Sequence, residues 1–215
     1  MIQRWVSIFL STVILSTLVA CSAADDTGQS KLGTTQEPVN GVQELFGSSL
    51  FLGDSIIGGL TNEDLLPGAN VMGGLGATVQ STLGNVEEIT SRKPSYVFLS
   101  LGQNDLGEPR EEAKKTFIQQ YTHLVDRIRE LLPTARVYVL SIPPVDEEAV
   151  KQEPRDASIT DYNQALDQLA DEMKVDYVDL STLFAANKIR YADNGVHFKP
   201  DFYPLLLDYL MEFVK

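Results

Sequence analysis

The chain has 215 residues, of which 43% are apolar and 22% charged, and a formal net charge of −13. This suffices for one domain with a sizeable core at an ordinary globular balance. So strong a negative charge repels phosphates and anionic headgroups and argues against a nucleic-acid partner.

The first residues differ in kind from the rest. Met1 to Arg4 carries one positive charge, Trp5 to Ala20 is uncharged and mainly apolar, and the run ends Leu18-Val19-Ala20-Cys21. A basic start, an apolar stretch and small residues before a cut read as a secretory signal; the run is short for a membrane span, which wants roughly 20 residues. Cys21 is the one cysteine of the chain, so no disulfide can form within it. The ending resembles the bacterial lipobox, in which the cysteine is diacylated and becomes the first mature residue. That resemblance implies a signal peptide over 1–21 and a lipid-anchored, extracytoplasmic protein. Two acyl chains satisfy the requirement for stable anchoring. Residues 22–44 are rich in Ser, Thr, Asp, Gln and Gly, and are expected to form a flexible tether. A folded domain is expected over 45–215.

Within it, short β-rich runs alternate with amphipathic stretches. Strands are expected over Ser49–Gly53, Ala69–Met72, Tyr96–Leu101, Arg136–Ile142 and Val175–Leu180. The third and fourth are nearly continuous apolar runs, as suits strands covered on both faces. Phe117, Tyr121, Leu124, Ile128 and Leu131 recur at helical spacing over 110–132 and stop at Pro133. Ser158–Met173 repeats the pattern with Tyr162, Ala165, Leu166 and Leu169, and Pro200 suits the first turn of a last helix running to Phe213. Alternating β and α units imply a parallel sheet with helices on both faces, whose ligands bind beyond the carboxyl ends of the strands.

Four segments carry candidate chemistry, three of them just after strands and the fourth in a loop just before the last helix. Gly53-Asp54-Ser55 leaves the first strand and enters a helix, where backbone N–H groups favour developing negative charge; an ordinary Asp or Ser cap is the competing reading. Gly73-Gly74-Leu75-Gly76-Ala77-Thr78 lets backbone N–H groups approach a ligand, and lacks the closing glycine of a dinucleotide loop. Gly102-Gln103-Asn104-Asp105 offers an amide donor and a carboxylate brace, or turn chemistry alone. Asp193-Asn194-Gly195-Val196-His197 carries one of the chain's two histidines. The other, His123, lies between the apolar positions of its helix and reads as a surface residue, which leaves His197 as the candidate imidazole base. Two histidines and one cysteine do not suggest a zinc site, and neither a metal nor a cofactor is expected.

In this order and spacing the four segments resemble the SGNH, or GDSL, hydrolase family over essentially all of 45–215. The resemblance implies a three-layer α/β/α flavodoxin-like sandwich with a parallel sheet of about five strands, and ester hydrolysis through an acyl-enzyme. It assigns Ser55 as nucleophile and His197 as general base. It places the oxyanion hole at the Ser55 and Gly76 N–H groups and the Asn104 amide.

The departure lies at the acid, which the family places three residues before the histidine; here that position is Asn194, with Asp193 one further back. Asp193 reaching the imidazole, Asn194 orienting it through its amide oxygen, and a Ser–His dyad with a backbone carbonyl are three open arrangements. An amide orienter predicts a slower enzyme, because replacing the carboxylate in a serine protease costs about 10⁴ in rate. Family habit and location together suggest small acyl groups, chiefly O-acetyl, on a glycan. A lipase or lysophospholipase-type esterase is the alternative, and a non-catalytic binding domain for acylated glycan the alternative from another class. Nothing in the sequence sets the oligomeric state.

Overall fold

The computed structural model of the chain describes residues 37–108 and 110–214. The expected signal segment, Cys21 and residues 22–36 of the expected tether lie outside the described residues. The last part of that tether is instead helix α1 (Glu37–Leu45). Val42 packs against the core, and Phe46, which follows the helix, is wholly buried. These two apolar anchors place a helix that composition alone reads as polar.

The remaining elements alternate: β1 (Ser49–Gly53), α2 (Ser55–Asn62), β2 (Val71–Gly73), α3 (Val79–Leu83), α4 (Val86–Ser91), β3 (Tyr96–Ser100), α5 (Arg110–Leu131), β4 (Arg136–Leu140), α6 (Glu147–Gln152), α7 (Ile159–Met173), β5 (Asp176–Val178), α8 (Ser181–Ala186) and α9 (Phe202–Leu210). The five strands form one parallel sheet in the order β2-β1-β3-β4-β5. Its order reverses at β1, so the loops after β1 and β3 open a crevice at their carboxyl ends.

The pleat sorts the core into two layers. Leu50 and Leu52 of β1, Val97 and Leu99 of β3, and Val137 and Val139 of β4 face a cluster completed by α3, α4, α5 and α7. Their neighbours along the strands turn the other way, onto α2, α8 and α9. On that second face the register pairs Phe51 with Phe98 and Phe98 with Tyr138. The three rings stack at centroid separations of 4.8 Å. Phe98, fully buried in the middle, touches both. Its replacement by Ala is expected to destabilise the domain by about 3–5 kcal/mol, measured as a shift in the urea midpoint at unchanged m-value.

The expected elements all occur, with altered ends. The second strand begins at Val71, because the Asn70 side chain turns inward and donates to the carbonyls of Phe46, Gly47 and Ser49. Leu131 is 40% exposed, its expected core place taken by Leu132, one turn beyond Ile128. Ser158 ends a 3₁₀ turn that begins at Pro154, and the α-helix starts one residue later.

Candidate active site

Gly53 ends β1, and Asp54, in extended conformation, caps α2 by accepting from the Ile56 N–H at 2.9 Å. The cap reading therefore holds for Asp54 and releases Ser55, the first helical residue, from that duty. Burial pushes the Asp54 carboxyl above the ordinary carboxylate range, while its backbone hydrogen bond to Ile56 and the charge of His197 pull it down. The Ser55 hydroxyl lies 2.7 Å from His197 Nε2, across 142 residues of sequence. The positive end of α2 sits directly behind it.

His197 is held by its own loop. Its carbonyl accepts from the Ala192 N–H, Asp146 donates its N–H to the Gly195 carbonyl, and the next residue, Phe198, packs tilted against Phe202 at 4.1 Å between centroids. Gly195 has φ +66°, and a Cβ there would lie 2.4–2.7 Å from the Asp146 carboxylate. Asp146 was not legible as part of this loop: in Pro144-Val145-Asp146-Glu147 it reads as the cap of α6, which it also is. No spacing rule links it to Gly195.

The other side of the imidazole corrects the expectations for its partner. Asp193 points into solvent and accepts from Lys199 Nζ at 3.1 Å, so it does not reach the ring. Asn194 does reach it, but through nitrogen: Nδ2 lies 2.7 Å from His197 Nδ1. Its oxygen is occupied, accepting from the N–H groups of Val196 at 3.2 Å and His197 at 3.0 Å. Rotating the amide would aim its NH₂ at those two N–H donors, so the network fixes the orientation. Neither the amide-oxygen orienter nor a backbone carbonyl is what this geometry contains. A donor facing Nδ1 makes that nitrogen an acceptor. The neutral ring then carries its proton on Nε2 and donates it to the Ser55 oxygen.

The loops after β2 and β3 are stitched together beside this pair. Gly74 to Ala77 closes a turn with Gly76 at φ +71°, a conformation open to glycine. Asn104 donates one amide N–H to the Ala77 carbonyl at 3.0 Å, leaving its second N–H unspent. Asp105 accepts from the Val79 N–H at 3.1 and 3.3 Å. Gly73, where β2 ends, packs so closely on α2 that a Cβ would lie 2.5 Å from the Gly58 nitrogen. Between α2 and the end of β2 with its following loop is a cavity of about 470 Å³, lined by Ser55, Gly58, Thr61, Asn62, Val71 and Leu75 among glycines. Leu75 stands at its rim, 92% exposed. His123 is exposed on α5, away from these loops. Among the described residues no cluster of three metal-ligating side chains occurs.

Burial pushes the Asp105 carboxyl up to about 6; Asp54 adds to this and the Val79 N–H opposes it. A carboxyl raised in the folded state stabilises the fold below its unfolded value of 3.8, and that contribution is lost as pH rises toward 6. Asp105→Asn keeps an acceptor for Val79 without the charge. It is expected to flatten the fall in stability between pH 4 and 6.5, read from urea unfolding across that window.

Residues 51–204 match the model of the GDSL-like lipase/acylhydrolase family, and the chain belongs to that family. It is a hydrolase of carboxylic esters, an acylhydrolase. Solved structures share the fold. A GDSL-like lipase from Bacteroides thetaiotaomicron is 16% identical over 77% of this chain and 86% of its own, with a TM-score of 0.60. The lipase/acylhydrolase from Enterococcus faecalis is 19% identical over 77% and 94%, with a TM-score of 0.63. An acetylxylan esterase from Geobacillus stearothermophilus is 21% identical over 77% and 92%, with a TM-score of 0.55. No curated protein sequence matches the chain.

Proposed function

We propose that the chain is an extracytoplasmic esterase, anchored through Cys21, that removes small acyl groups, chiefly O-acetyl, from a glycan. Ser55 is the nucleophile and His197 the base. The observation that carries the reading is the 2.7 Å contact between the Ser55 hydroxyl and His197 Nε2 at the positive end of a helix. Ser55 attacks the ester carbonyl, and the oxyanion takes hydrogen bonds from the N–H groups of Ser55 and Gly76 and the free N–H of Asn104. Each such donor is typically worth about 2.7–4 kcal/mol. His197 passes the serine proton to the departing alcohol, and water, activated by the same ring, releases the acid. To accept the serine proton the ring must first leave the tautomer that Asn194 favours, which makes acylation slow.

The cavity beside Ser55 supports the choice of a small, neutral acyl ester on a sugar. Its lining is glycine backbone, the apolar side chains of Val71 and Leu75 and the short polar side chains of Ser55, Thr61 and Asn62, with no charged group. The acetylxylan esterase from Geobacillus stearothermophilus has the same fold. A fluorophosphonate probe should label Ser55, and acetate should be released from acetylated xylan faster than palmitate from a long-chain ester. The reverse order of chain lengths points to a lipase. No label and no turnover leave only a binding domain.

A further inference from the structure

We propose that Asn194 is a site of self-modification: its side-chain amide is hydrolysed in place to the carboxylate that Ser55 and His197 lack. The proposal rests on the reading of those two residues as nucleophile and base.

The Asn194 amide sits in surroundings built for attack at its own Cγ. Negative charge would develop on Oδ1, which already accepts from the N–H groups of Val196 and His197 at 3.2 and 3.0 Å. These are oxyanion donors in all but name. The atom that must leave, Nδ2, lies 2.7 Å from His197 Nδ1. Once Cγ is tetrahedral that nitrogen is no longer conjugated, and it takes a proton from a protonated imidazole within hydrogen-bond reach. The side chain is exposed, so water has access.

The turn also favours one product. Asn-Gly sequences commonly lose ammonia when the glycine nitrogen attacks Cγ and closes a cyclic imide, which then opens largely to isoaspartate. Here the Gly195 N–H donates to the Ala192 carbonyl at 3.0 Å. The Gly195 carbonyl is held by Asp146, whose carboxylate fills the space beside its Cα. Water is left as the nucleophile. Its oxygen bonds to Cγ, the Cγ–Nδ2 bond breaks, and both water protons end on the departing ammonium, one of them relayed by His197. Aspartate remains in the same turn.

The consequence is a one-way change of tautomer. One carboxylate oxygen keeps the two N–H bonds and the other now accepts at Nδ1. The ring proton moves to Nδ1, and Nε2 is freed to accept from Ser55. Asparagine at this position thus makes a slow enzyme that matures into a fast one.

The test is to incubate the purified chain at neutral pH and follow two quantities: the mass and linkage of the peptide containing residue 194, and the esterase rate per mole. The expected result is a one-dalton gain at Asn194 as aspartate, with activity rising in proportion toward that of Asn194→Asp. Ser55→Ala should gain the same mass without activity, and His197→Ala should stay amidated. The proposal is overturned if Asn194 stays intact in the wild type, if isoaspartate is the product, or if Ser55→Ala and His197→Ala convert at equal rates. If Asn194→Asp itself turns over no ester, the esterase reading fails, and the mass result still decides the modification.

Discussion

Asn194→Asp is expected to raise kcat on a short-chain ester by up to about 10⁴-fold, the factor lost when a serine protease makes the opposite exchange. The substitution changes one atom and no shape. The oxygen that accepts from Val196 and His197 stays where it is; the group facing His197 Nδ1 turns from donor to acceptor. Two effects follow. The neutral ring moves its proton to Nδ1 and presents a lone pair to Ser55. The imidazolium formed on acylation then has a carboxylate against its Nδ1–H, where the wild type would set two donors against each other. Neither effect acts on bound ester before reaction, so KM should change little. Nitrogen shifts of the His197 ring supply a direct readout, with the proton on Nε2 in the wild type and on Nδ1 in the variant. An unaltered kcat together with an altered tautomer would show that proton transfer to His197 does not limit turnover.

The orientation of the Asn194 amide is set by contacts that leave no pattern in the sequence. The strand Ser49–Gly53 was legible to the residue, and the next two central strands to within a residue or two, because runs buried on both faces have a composition of their own. The edge strands β2 and β5 are three residues each. They are paired on one side only, so their limits depend on neighbours such as the inward-turned Asn70 rather than on pattern. The structure brings Ser55 and Asn194 within hydrogen-bond reach of His197, and all three could be singled out by motif. Which atom of Asn194 faces the ring could not, because it is decided by two backbone N–H groups of the next residues but one and two. Asp146 was hidden for a related reason: a contact between the loop after β4 and the loop between α8 and α9 leaves no periodic trace in either.

Ser55→Ala is expected to abolish ester turnover almost entirely. In a serine hydrolase with an intact carboxylate, loss of the nucleophile costs about 10⁶ in kcat; the wild type already lacks about 10⁴ of that, so about 10² remains to be lost before only the oxyanion donors and binding accelerate the reaction. The half-buried hydroxyl makes its one side-chain hydrogen bond to His197, and the cap of α2 belongs to Asp54, so the fold should keep its circular dichroism and urea midpoint. The informative measurement is the double variant. If Asn194 acts only through His197 on Ser55, adding Asn194→Asp to Ser55→Ala should give none of the gain seen in the wild-type background. The coupling energy should then equal the whole effect of the single substitution. A gain that persists without Ser55 would mean that His197 activates water directly, and that no acyl-enzyme lies on the path. Retention of acetylated glycan by Ser55→Ala, with no turnover by the wild type or by Asn194→Asp, would instead place the site among binding domains.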